Sequence, residues 1–402
     1  MAANAAGDEL ESFHFLLSEA GQRYLRRLAQ NPITDENHLA IASRLRQELG
    51  QQETHAVLET ALLRQRAVAK FSRAEDMYFT RSALEQASAE PVARYRAQRM
   101  ARAKYQTVAD LGCGIGGDAL ALAQHCFVMG IDVDQRRLAM ARENVRAYGH
   151  ADRFQPLLAD LTRLPALRVD AFFADPARRD ARGKRIFAPD DYMPPLAPLL
   201  DRWLPRVPHG AVKVSPGIDY AYVPANAGLE FVSLDGDVKE GVLWFGDLHD
   251  GSQQRATLLP GEHTLSDLDD SGDEVPVGKP ARFLYEPDGA VIRAHLVEIL
   301  AQKLGAHKID DDIAYLTAEE PMLTPFARCF AVEATMPFQL KKLRARLRDM
   351  GVGRVTVKKR GSPLSPQELQ RRLDLSGERE VILFLTHVQG EPTVLIGREY
   401  TG

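Results

Sequence analysis

The feature that most constrains the fold of this chain is a short apolar run followed at once by a glycine-rich loop. The run is Thr107-Val-Ala-Asp-Leu111, the loop is Gly112-Cys-Gly-Ile-Gly-Gly117, and an apolar segment from Ala119 to Gln124 follows. A strand that ends in a glycine turn and opens a helix places backbone N–H groups against a ligand. The pattern therefore predicts a cofactor loop after the first strand of an α/β sheet.

Alternating strand and helix signals continue from this loop to about residue 247. Further apolar runs occur at 127–131, 154–158, 169–174 and 210–214, and two closely spaced runs, 229–234 and 240–245, flank Asp235-Gly-Asp237. Such alternation predicts a mostly parallel sheet covered on both faces, and the Asp-Gly turn predicts a final antiparallel hairpin. The expected fold class is α/β, with a doubly wound sheet of seven strands.

The rest of the 402-residue chain predicts further domains around this core. Residues 1–100 carry a helical period of apolar residues and predict an N-terminal helical domain, and 101–247 form the expected core. Residues 248–280 are acidic and interrupted by Gly and Pro, which predicts a linker, and 281–402 predict a C-terminal α+β domain. The sequence has no apolar run long enough to cross a membrane, no signal-peptide pattern and three scattered cysteines, so we expect a cytoplasmic protein.

Acidic residues decide which cofactor the loop favours. Gly112, Gly114 and Gly117 also fit the G-x-G-x-x-G pattern of dinucleotide sites. However, Asp110 and Asp118 flank the loop, and carboxylates there would repel a pyrophosphate. S-adenosylmethionine (SAM) presents an ammonium and a sulfonium, which the same carboxylates would attract. The loop therefore favours SAM over NAD.

Two later acids fit the same cofactor. Asp132 ends the second strand, where a carboxylate can accept hydrogen bonds from ribose hydroxyls, and Asp160 follows the third strand, where it can accept one from an adenine amine. Acids at strand ends can also simply cap helices, which is the structural alternative for each of them. The predicted cofactor residues are Asp110, Gly112, Gly114, Gly116, Gly117, Asp118, Asp132 and Asp160.

The fourth strand is followed by Asp175-Pro-Ala-Arg178, where a substrate atom would meet the methyl group. Its carboxylate and a nearby carbonyl can accept hydrogen bonds from a target amine, and Pro176 and Arg178 complete the predicted motif. The alternative is a simple strand-ending turn.

Lys213 and Glu240 join the predicted catalytic set, because with Asp175 and Lys104 they resemble part of the Lys-Asp-Lys-Glu set of ribose 2′-O-methyltransferases. The alternative is that Lys213 and Glu240 form an ion pair or a packed pair. No cysteine follows strands four or five, which excludes methylation at pyrimidine carbon 5, and no metal site is predicted.

A strongly basic segment stands out in a chain whose net charge is −4. Between Thr335 and Arg372 there are eleven Lys or Arg residues, opposed only by Asp349 and Glu368. Such a segment would neutralise phosphates, and its alternative is a solvated amphipathic face. The predicted RNA-contacting residues are Lys341, Lys342, Arg344, Lys358, Lys359 and Arg360.

Residues 108–180 resemble the core of class I SAM-dependent methyltransferases, near the trimethylguanosine synthase group of RNA cap enzymes. The resemblance lies in Val108 to Asp118, Gly130-Ile-Asp-Val-Asp134, and Ala141-Arg-Glu-Asn144 with Tyr148-Gly149, while Leu84 to Ala93 resembles the segment that precedes the loop in that group. Two tail segments, Val355 to Gly361 and Val381 to Thr386, resemble the THUMP-like domain of a bacterial family. The resemblance implies a SAM-dependent enzyme with an RNA substrate.

One motif departs from this family. Cap-hypermethylating enzymes carry Ser-Pro-Pro-Trp after strand four, whereas this chain has Asp175-Pro-Ala-Arg178, which is closer to the Asp-Pro-Pro-aromatic set of amino-methyltransferases. Three hypotheses follow: an RNA methyltransferase with direct in-line transfer at Asp175, a methyltransferase of a protein or small molecule, and a SAM-binding module without catalysis.

Overall fold

A computed structural model describes residues 2–178 and 188–402. The chain forms two compact units. The first comprises Met1–Ala227 with Val242–Asp250, and the second comprises Gly228–Gly241 with Gly251–Gly402. Within the described ranges, no helix combines the length and the apolar character that crossing a bilayer requires.

The first unit begins with helices, as predicted. The helix α4 packs against four others, and its residues Val57 and Leu63 are buried in the common core. Ser18 caps the second helix, because its hydroxyl accepts a hydrogen bond from the amide of Gly21 at 3.1 Å. The six helices are α1 (Ala2–Leu17), α2 (Glu19–Gln30), α3 (His38–Glu48), α4 (Gln51–Ala67), α5 (Arg81–Gln86) and α6 (Glu90–Arg102).

Five parallel strands follow in the same unit: β1 (Thr107–Leu111), β2 (Phe127–Asp132), β3 (Phe154–Leu158), β4 (Ala171–Ala174) and β5 (Gly210–Val214). The strand β1 pairs with β2 on one side and β4 on the other, so its carboxyl end lies in the middle of these strands. Parallel strands all point the same way, and the loops after β1, β2, β4 and β5 therefore meet at one edge. Three helices accompany them: α7 (Ala119–Leu122), α8 (Gln135–Ala147) and α9 (Leu196–Trp203).

The predicted α/β fold is confirmed, with nine strands in this sheet rather than seven. The order is β3-β2-β1-β4-β5-β7-β6-β8-β9, where β6 is Ala227–Leu234, β7 is Asp237–Phe245, β8 is Gln254–Leu259 and β9 is His263–Ser266. The turn between β6 and β7 consists of Asp235 and Gly236, with φ of 54° and 83°. Positive φ at both positions is typical of a two-residue hairpin turn.

The strands β8 and β9 lie in the segment that the sequence predicts as an acidic linker, and for these residues the prediction is wrong. The strand β8 pairs in parallel with β6, and β9 pairs antiparallel with β8. Ala256, Leu258 and Leu265 are buried, so the two strands carry their own apolar face. Most of the acidic residues of this segment follow the two strands, from Asp267 onward. The acidic composition of the segment as a whole therefore hides the strand pattern of β8 and β9.

The second unit also contains a seven-stranded sheet in the order β11-β12-β10-β13-β16-β15-β14. Its strands are β10 (Phe283–Pro287), β11 (His307–Lys308), β12 (Leu316–Ala318), β13 (Ala327–Pro337), β14 (Val352–Lys359), β15 (Arg379–Val388) and β16 (Glu391–Glu399). Its helices are α10 (Gly289–Arg293), α11 (Val297–Leu304), α12 (Leu340–Asp349) and α13 (Pro366–Leu373). The predicted C-terminal α+β architecture is confirmed.

Both faces of this second sheet carry a core. Leu343 and Leu347 of α12 and Leu369 and Leu373 of α13 pack on one face in a single cluster. The other face has a cluster of large side chains that includes Tyr315, Phe330 and Phe384. The helices α12 and α13 therefore cover the same face of the sheet. Their outward residues form one continuous surface.

Candidate active site

The glycine loop has the backbone geometry of a ligand cradle. After β1, the amides of Gly112 and Cys113 both donate to the carbonyl of Ile131, at 2.8 and 2.9 Å, which ties the loop to the end of β2. Gly114 has a φ of 54°, and a Cβ built there would meet nothing within 4 Å. Gly116 has a φ of 79° and lies against α8, where a Cβ would approach that of Ala141 to 3.1 Å. The loop is therefore packed from below at Gly116 and open at Gly114.

The helix after this loop is shorter than the sequence predicts. It covers only Ala119–Leu122, whereas the sequence predicts a helix as far as Gln124. One turn of helix aligns few peptide dipoles and offers little attraction for a pyrophosphate. The loop therefore lacks the long helix on which a dinucleotide site depends.

Asp110 is a buried carboxyl at the centre of this edge. Its atom Oδ2 has no hydrogen-bond partner within the described part of the chain. Burial raises the pKa of Asp110 well above its ordinary value, and the negative charges of Asp118, Asp175 and Asp132 raise it further. A buried acid surrounded by acids is stabilised by a cation. The ammonium or sulfonium of SAM fits this site by charge, and a phosphate does not.

Asp118 is linked to a buried arginine. The guanidinium of Arg96, on α6, lies with its Nε 3.1 Å from Asp118 Oδ1 and donates a second bond to the same oxygen. Arg96 also donates to the Ser88 hydroxyl at 3.0 Å and stacks over Phe173. Asp118 therefore anchors the glycine loop to α6, a role that its position in the sequence does not reveal.

The two later acids differ in exposure. Asp132 is buried at the end of β2, where its Oδ2 accepts from the amide of Gly114 and its Oδ1 from the amide of Asp134, both at 2.9 Å. Asp160 is exposed, and its Oδ1 accepts from the hydroxyl of Thr162 at 2.7 Å and from its amide at 2.9 Å. These bonds lower the pKa of Asp160. Asp132 therefore belongs to the loop itself, whereas Asp160 shapes the turn after β3.

Asp175 and Lys213 form the polar centre beside the loop. Lys213 is buried on β5, and its Nζ lies 2.6 Å from Asp175 Oδ2 and 3.0 Å from the Ser88 hydroxyl. A quarter of the Asp175 side chain remains exposed. Burial acts to raise the pKa of Asp175, but the charges of Lys213 and Arg178 outweigh it and hold that pKa below its ordinary value. A Cβ at Gly112 would lie 4.0 Å from the Asp175 carbonyl oxygen, so this residue borders the glycine loop.

The rest of the Asp175-Pro-Ala-Arg178 motif is held by a short bridge. Ala177 and Met193 exchange two backbone hydrogen bonds, at 2.9 and 3.0 Å. Pro176 is buried and Arg178 is half-buried. Next to Met193, the buried Tyr192 accepts a hydrogen bond from the amide of Ser215 at 3.1 Å, which joins the motif to the loop after β5.

Two members of the predicted Lys-Asp-Lys-Glu set meet, and Lys104 does not join them. Lys213 pairs with Asp175, and Glu240 is buried on β7. Lys104 is exposed and precedes β1, whereas Asp175 follows β4 at the opposite end of these parallel strands. Sequence distance to β1 misled the prediction, because the two ends of a strand face different edges of a sheet.

Three side chains that position this edge are absent from the predicted site: Lys70, Ser88 and Asn144. The ammonium of Lys70 donates to the carbonyls of Leu84, Glu85 and Ala87, at 2.7, 3.2 and 2.9 Å, and so fixes the segment that carries Ser88. Burial and the charge of Lys213 lower the pKa of Lys70.

The third contributor, Asn144, is fully buried on α8. It accepts from the amide of Tyr78 at 2.7 Å and donates to the carbonyls of Tyr78 and Ile115, at 2.9 and 2.8 Å. It thereby ties the glycine loop to the segment before α5. The segments around Ser88 and Asn144 lie within the stretches on which the family resemblance rests, which was their only signal in the sequence.

Comparisons with known proteins agree with this geometry. A methyltransferase domain model matches residues 108–176, a THUMP domain-like model matches 327–399, and a domain of unknown function matches 8–67. Uncharacterized S-adenosylmethionine-dependent methyltransferases from two strains of Mycobacterium tuberculosis are each 36% identical over 347 residues, which cover 83% of this chain and 92% of each relative. This chain belongs to the SAM-dependent methyltransferases. Its cofactor is S-adenosylmethionine, as the acids around the loop predict.

A solved structure supports the fold of this methyltransferase along most of its length. The crystal structure of a proposed methyltransferase from Porphyromonas gingivalis W83 matches with a TM-score of 0.72 at 22% identity, covering 92% of this chain and 100% of that one. A 23S rRNA uracil-C5 methyltransferase from Acidithiobacillus ferrooxidans is 38% identical over 81 residues, which are 18% of each chain. None of these matches bears on the trimethylguanosine synthase resemblance, which stays a prediction.

The basic residues of the methyltransferase's C-terminal sheet divide between its two faces. On the helical face, Lys341, Lys342 and Arg344 of α12 are exposed, together with Arg346, Arg348, Arg371, and Arg372. On the other face, Lys358 and Arg360 both approach the carboxylate of Glu286 and lie over the rings of Phe330 and Tyr315. Lys359 is exposed and, because side chains alternate along β14, points to the helical face.

The predicted cluster of Lys358, Lys359 and Arg360 is therefore wrong as a single surface. We call the exposed residues Lys341, Lys342, Arg344, Arg346, Arg348, Lys359, Arg371 and Arg372 the basic helical face.

Proposed function

We propose that this methyltransferase methylates a nitrogen atom of an RNA substrate, by direct in-line transfer at Asp175. The observation that carries the proposal is the pair of Asp175 and Lys213, whose polar atoms lie 2.6 Å apart beside the glycine loop. The Asp175 carboxylate is part-exposed and its pKa is lowered, so it is ionised at neutral pH and accessible to a substrate. A carboxylate in this state accepts hydrogen bonds from an amine.

Residues of this chain would position the target atom. The carboxylate and backbone carbonyl of Asp175 would accept the hydrogens of an amino group and turn its lone pair toward the cofactor. Lys213 donates to this carboxylate and is itself held by the Ser88 hydroxyl. When bound, SAM supplies an electrophilic methyl group on its sulfonium. The low pKa of Asp175 makes it a weak base, so its role is to orient the nitrogen, and the displaced proton leaves to water.

The Lys213 contacts favour nitrogen over a ribose hydroxyl as the target. A 2′-O-methyltransferase needs a lysine that can lose its proton to deprotonate the hydroxyl. In this structure the Nζ of Lys213 contacts the Asp175 carboxylate at 2.6 Å and the Ser88 hydroxyl at 3.0 Å, so protein groups rather than a substrate hydroxyl occupy it.

Carbon 5 of a pyrimidine is disfavoured by the cysteines. Cys113, Cys126 and Cys329 are all buried, and burial raises the pKa of each thiol. Nucleophilic cysteines need a lowered pKa and access to substrate. The chemistry named for the Acidithiobacillus relative therefore does not transfer to this chain, although its substrate class does agree with the proposal.

RNA as the substrate class is supported by the second unit. The THUMP domain-like match covers α12, β14 and α13, which carry the basic helical face. Clustered exposed cations on one face neutralise phosphates without reading sequence. Between Thr335 and Arg372, the only acids in the sequence are Asp349 and Glu368, against eleven Lys or Arg residues, so the local charge is strongly positive.

The experiment that tests this proposal supplies tritiated SAM to the purified protein with separated RNA, protein and small-molecule fractions of a cell extract. We expect label in RNA, and expect it to appear as an N-methylated nucleoside after nuclease digestion. Asp175→Asn is the matched control, because it keeps the size of the side chain and removes its charge. Label confined to the protein or small-molecule fraction would contradict the RNA assignment, and label on a ribose oxygen would contradict the nitrogen assignment.

A further inference from the structure

A cleft lies between helices of the N-terminal region, within the first unit. It has a volume of about 460 Å³, which is within the range of small-molecule sites in proteins. The lining residues recur at helical spacing, as Ala42 and Arg46 do on α3 and Thr54, Leu58 and Leu62 do on α4, so each helix presents one stripe to the cleft. Arg81, the first residue of α5, completes it.

The middle of the cleft is apolar and aliphatic. Ala42 of α3 and Leu58, Leu62 and Leu63 of α4 line it, and the rings among the described lining residues are the imidazoles of His38 and His55. Aliphatic walls suit an alkyl or alicyclic body, for which burial of apolar area provides the affinity.

The rim of the cleft is cationic. Arg46, Arg66 and Arg81 are exposed at its border. Within the described ranges, Arg46 and Arg66 have no carboxylate at ion-pair distance, while Arg81 lies 3.6 Å from Glu85 across one helical turn. Glu59, the acidic residue of the lining, lies 3.9 Å from His55. The charge that remains is positive, and it is complementary to an anionic group.

One buried hydroxyl supports a polar ligand group at this wall. Thr54 lines the cleft and is buried, and its Oγ1 has no hydrogen-bond partner among the residues that the structure describes. Its amide bonds to the carbonyl of Gly50 at 3.0 Å, as expected within a helix, so the backbone is satisfied and only the side chain is not. An unmatched buried hydroxyl destabilises a protein unless something binds it.

We propose that this cleft binds an amphipathic organic anion, with an aliphatic body of roughly ten carbon atoms and one carboxylate or phosphate group. The apolar stripe would hold the body and the arginines of the rim would bind the anion. This site is separate from the methyl-transfer site, and its existence does not depend on the substrate proposed above.

The test measures binding of decanoate and decyl phosphate to the full-length protein by isothermal titration calorimetry, below their micelle concentrations. Decanol and decylammonium serve as the neutral and cationic probes. We expect both anions to bind at least about tenfold more tightly than either of the other probes, because one charged contact contributes on this order. The relative affinities of decanoate and decyl phosphate then distinguish a carboxylate ligand from a phosphate ligand.

Two variants locate the site. Arg46→Gln/Arg66→Gln/Arg81→Gln removes the positive charges of the rim, and we expect it to weaken decanoate by about tenfold or more. Arg23→Gln/Arg26→Gln/Arg206→Gln is the matched control, since these arginines are exposed, lie outside the cleft and change the net charge equally. Because all six positions are exposed, both proteins should fold, and circular dichroism verifies this.

Thr54→Val provides a second readout that does not need charge. It keeps the shape of the side chain and removes the hydroxyl, so it should raise the melting temperature of the free protein while weakening decanoate. Equal binding of decanol and decanoate, or equal losses in the cleft and control triple variants, would overturn the proposal. So would a cleft variant that loses affinity for a short RNA while decanoate fails to bind wild type, because the cleft would then bind RNA.

Discussion

The ammonium of Lys213 lies 2.6 Å from the carboxylate of Asp175, although 38 residues separate them in the chain. Lys213 lies near the end of the buried strand β5 and Asp175 follows β4, and these two strands are hydrogen-bonded neighbours in parallel. The same ammonium holds the Ser88 hydroxyl, which also accepts from Arg96. A chain of contacts therefore connects Asp175, which we propose positions the substrate, to Arg96, which anchors the glycine loop.

Replacing Asp175 should remove methyl transfer and spare cofactor binding. In Asp175→Asn the side chain keeps its size but loses the charge that holds Lys213, so its position changes. We expect transfer of label to RNA to fall by about 100-fold or more, as misplacement near the reacting atoms commonly causes. The measurement is initial rate with tritiated SAM, alongside the dissociation constant of SAM by calorimetry. A rate close to that of wild type would contradict the positioning role.

Removing Lys213 should shift the pH dependence of the reaction. The ammonium lowers the pKa of Asp175 against the effect of burial, so Lys213→Met should raise that pKa. As the pH falls, the active ionised form would then be lost at a higher pH than in wild type. The acidic limb of the rate profile should therefore shift to higher pH. Lys239→Met is the control, because Lys239 pairs with Asp237 at the exposed hairpin. An unchanged acidic limb would show that Asp175 does not govern the profile.

Asp110 should make SAM binding depend on pH. Its pKa is raised, so the free protein keeps a proton there to a higher pH than an ordinary aspartate does, and that proton must leave before the carboxylate can attract a cation. Affinity for SAM should therefore rise with pH until Asp110 is ionised, with proton release that calorimetry in buffers of different ionisation enthalpy detects.

The variant Asp110→Asn should bind SAM more weakly and without this pH dependence. The stability of the free wild-type protein should change with pH in the direction opposite to its SAM affinity. A carboxyl with a raised folded pKa destabilises the free protein as pH rises from the unfolded pKa toward the folded one, and the variant should lack that loss. Asp152→Asn, on an exposed turn, is the matched control. A SAM affinity that is equally pH-dependent in wild type and variant would exclude Asp110 as the cause.

Arg96 should be important for stability as well as for the site. It is 1% exposed, and its removal leaves Asp118 without its partner. We expect Arg96→Met to lower the free energy of unfolding by roughly 3–5 kcal/mol, and Arg96→Met/Asp118→Asn to recover part of the loss. Urea denaturation of the two single variants and the double variant measures the coupling. Strictly additive effects would mean that the two residues do not stabilise each other.

The basic helical face should control the salt dependence of RNA binding. The variant Lys341→Glu/Lys342→Glu/Arg348→Glu should bind RNA more weakly, and the slope of log affinity against log salt should fall by about 0.7 for each phosphate that the variant no longer neutralises. Arg23→Glu/Arg26→Glu/Arg206→Glu changes the net charge equally at exposed positions of the first unit. If both variants bind RNA equally weakly, the effect is one of overall charge and not of this face.

The structure also changes which basic residues are suitable for such a test. Lys358 and Arg360 approach Glu286, and Lys358 is only one-fifth exposed, so reversing their charges would place like charges together in a partly buried site. Replacing Lys358 and Arg360 would therefore destabilise the protein rather than weaken its RNA binding directly. The sequence presents them as one cluster with Lys359, because neighbours along a strand are adjacent in the chain but lie on opposite faces of the sheet.

The cofactor was the most predictable functional property of this protein. The glycine loop is continuous in sequence, its glycines are required by local backbone geometry at positions such as Gly114, and Asp110 and Asp132 belong to strands whose apolar runs are recognisable. The fold class followed from the same alternation of strands and helices. The strands at 254–266 were missed because an acidic stretch adjoins them and its composition dominated the segment.

The sequence by itself determined the α/β core, the glycine loop and the preference for a cationic cofactor, because each depends on local periodicity and on the charges next to one turn. Only the tertiary structure decided that Asp118 binds Arg96, that Lys213 binds Asp175 and Ser88, and that Asp160 is exposed. Lys213 and Ser88 are 125 residues apart in the chain. Burial and pairing of such distant groups depend on how strands and helices pack, and no local pattern contains that information.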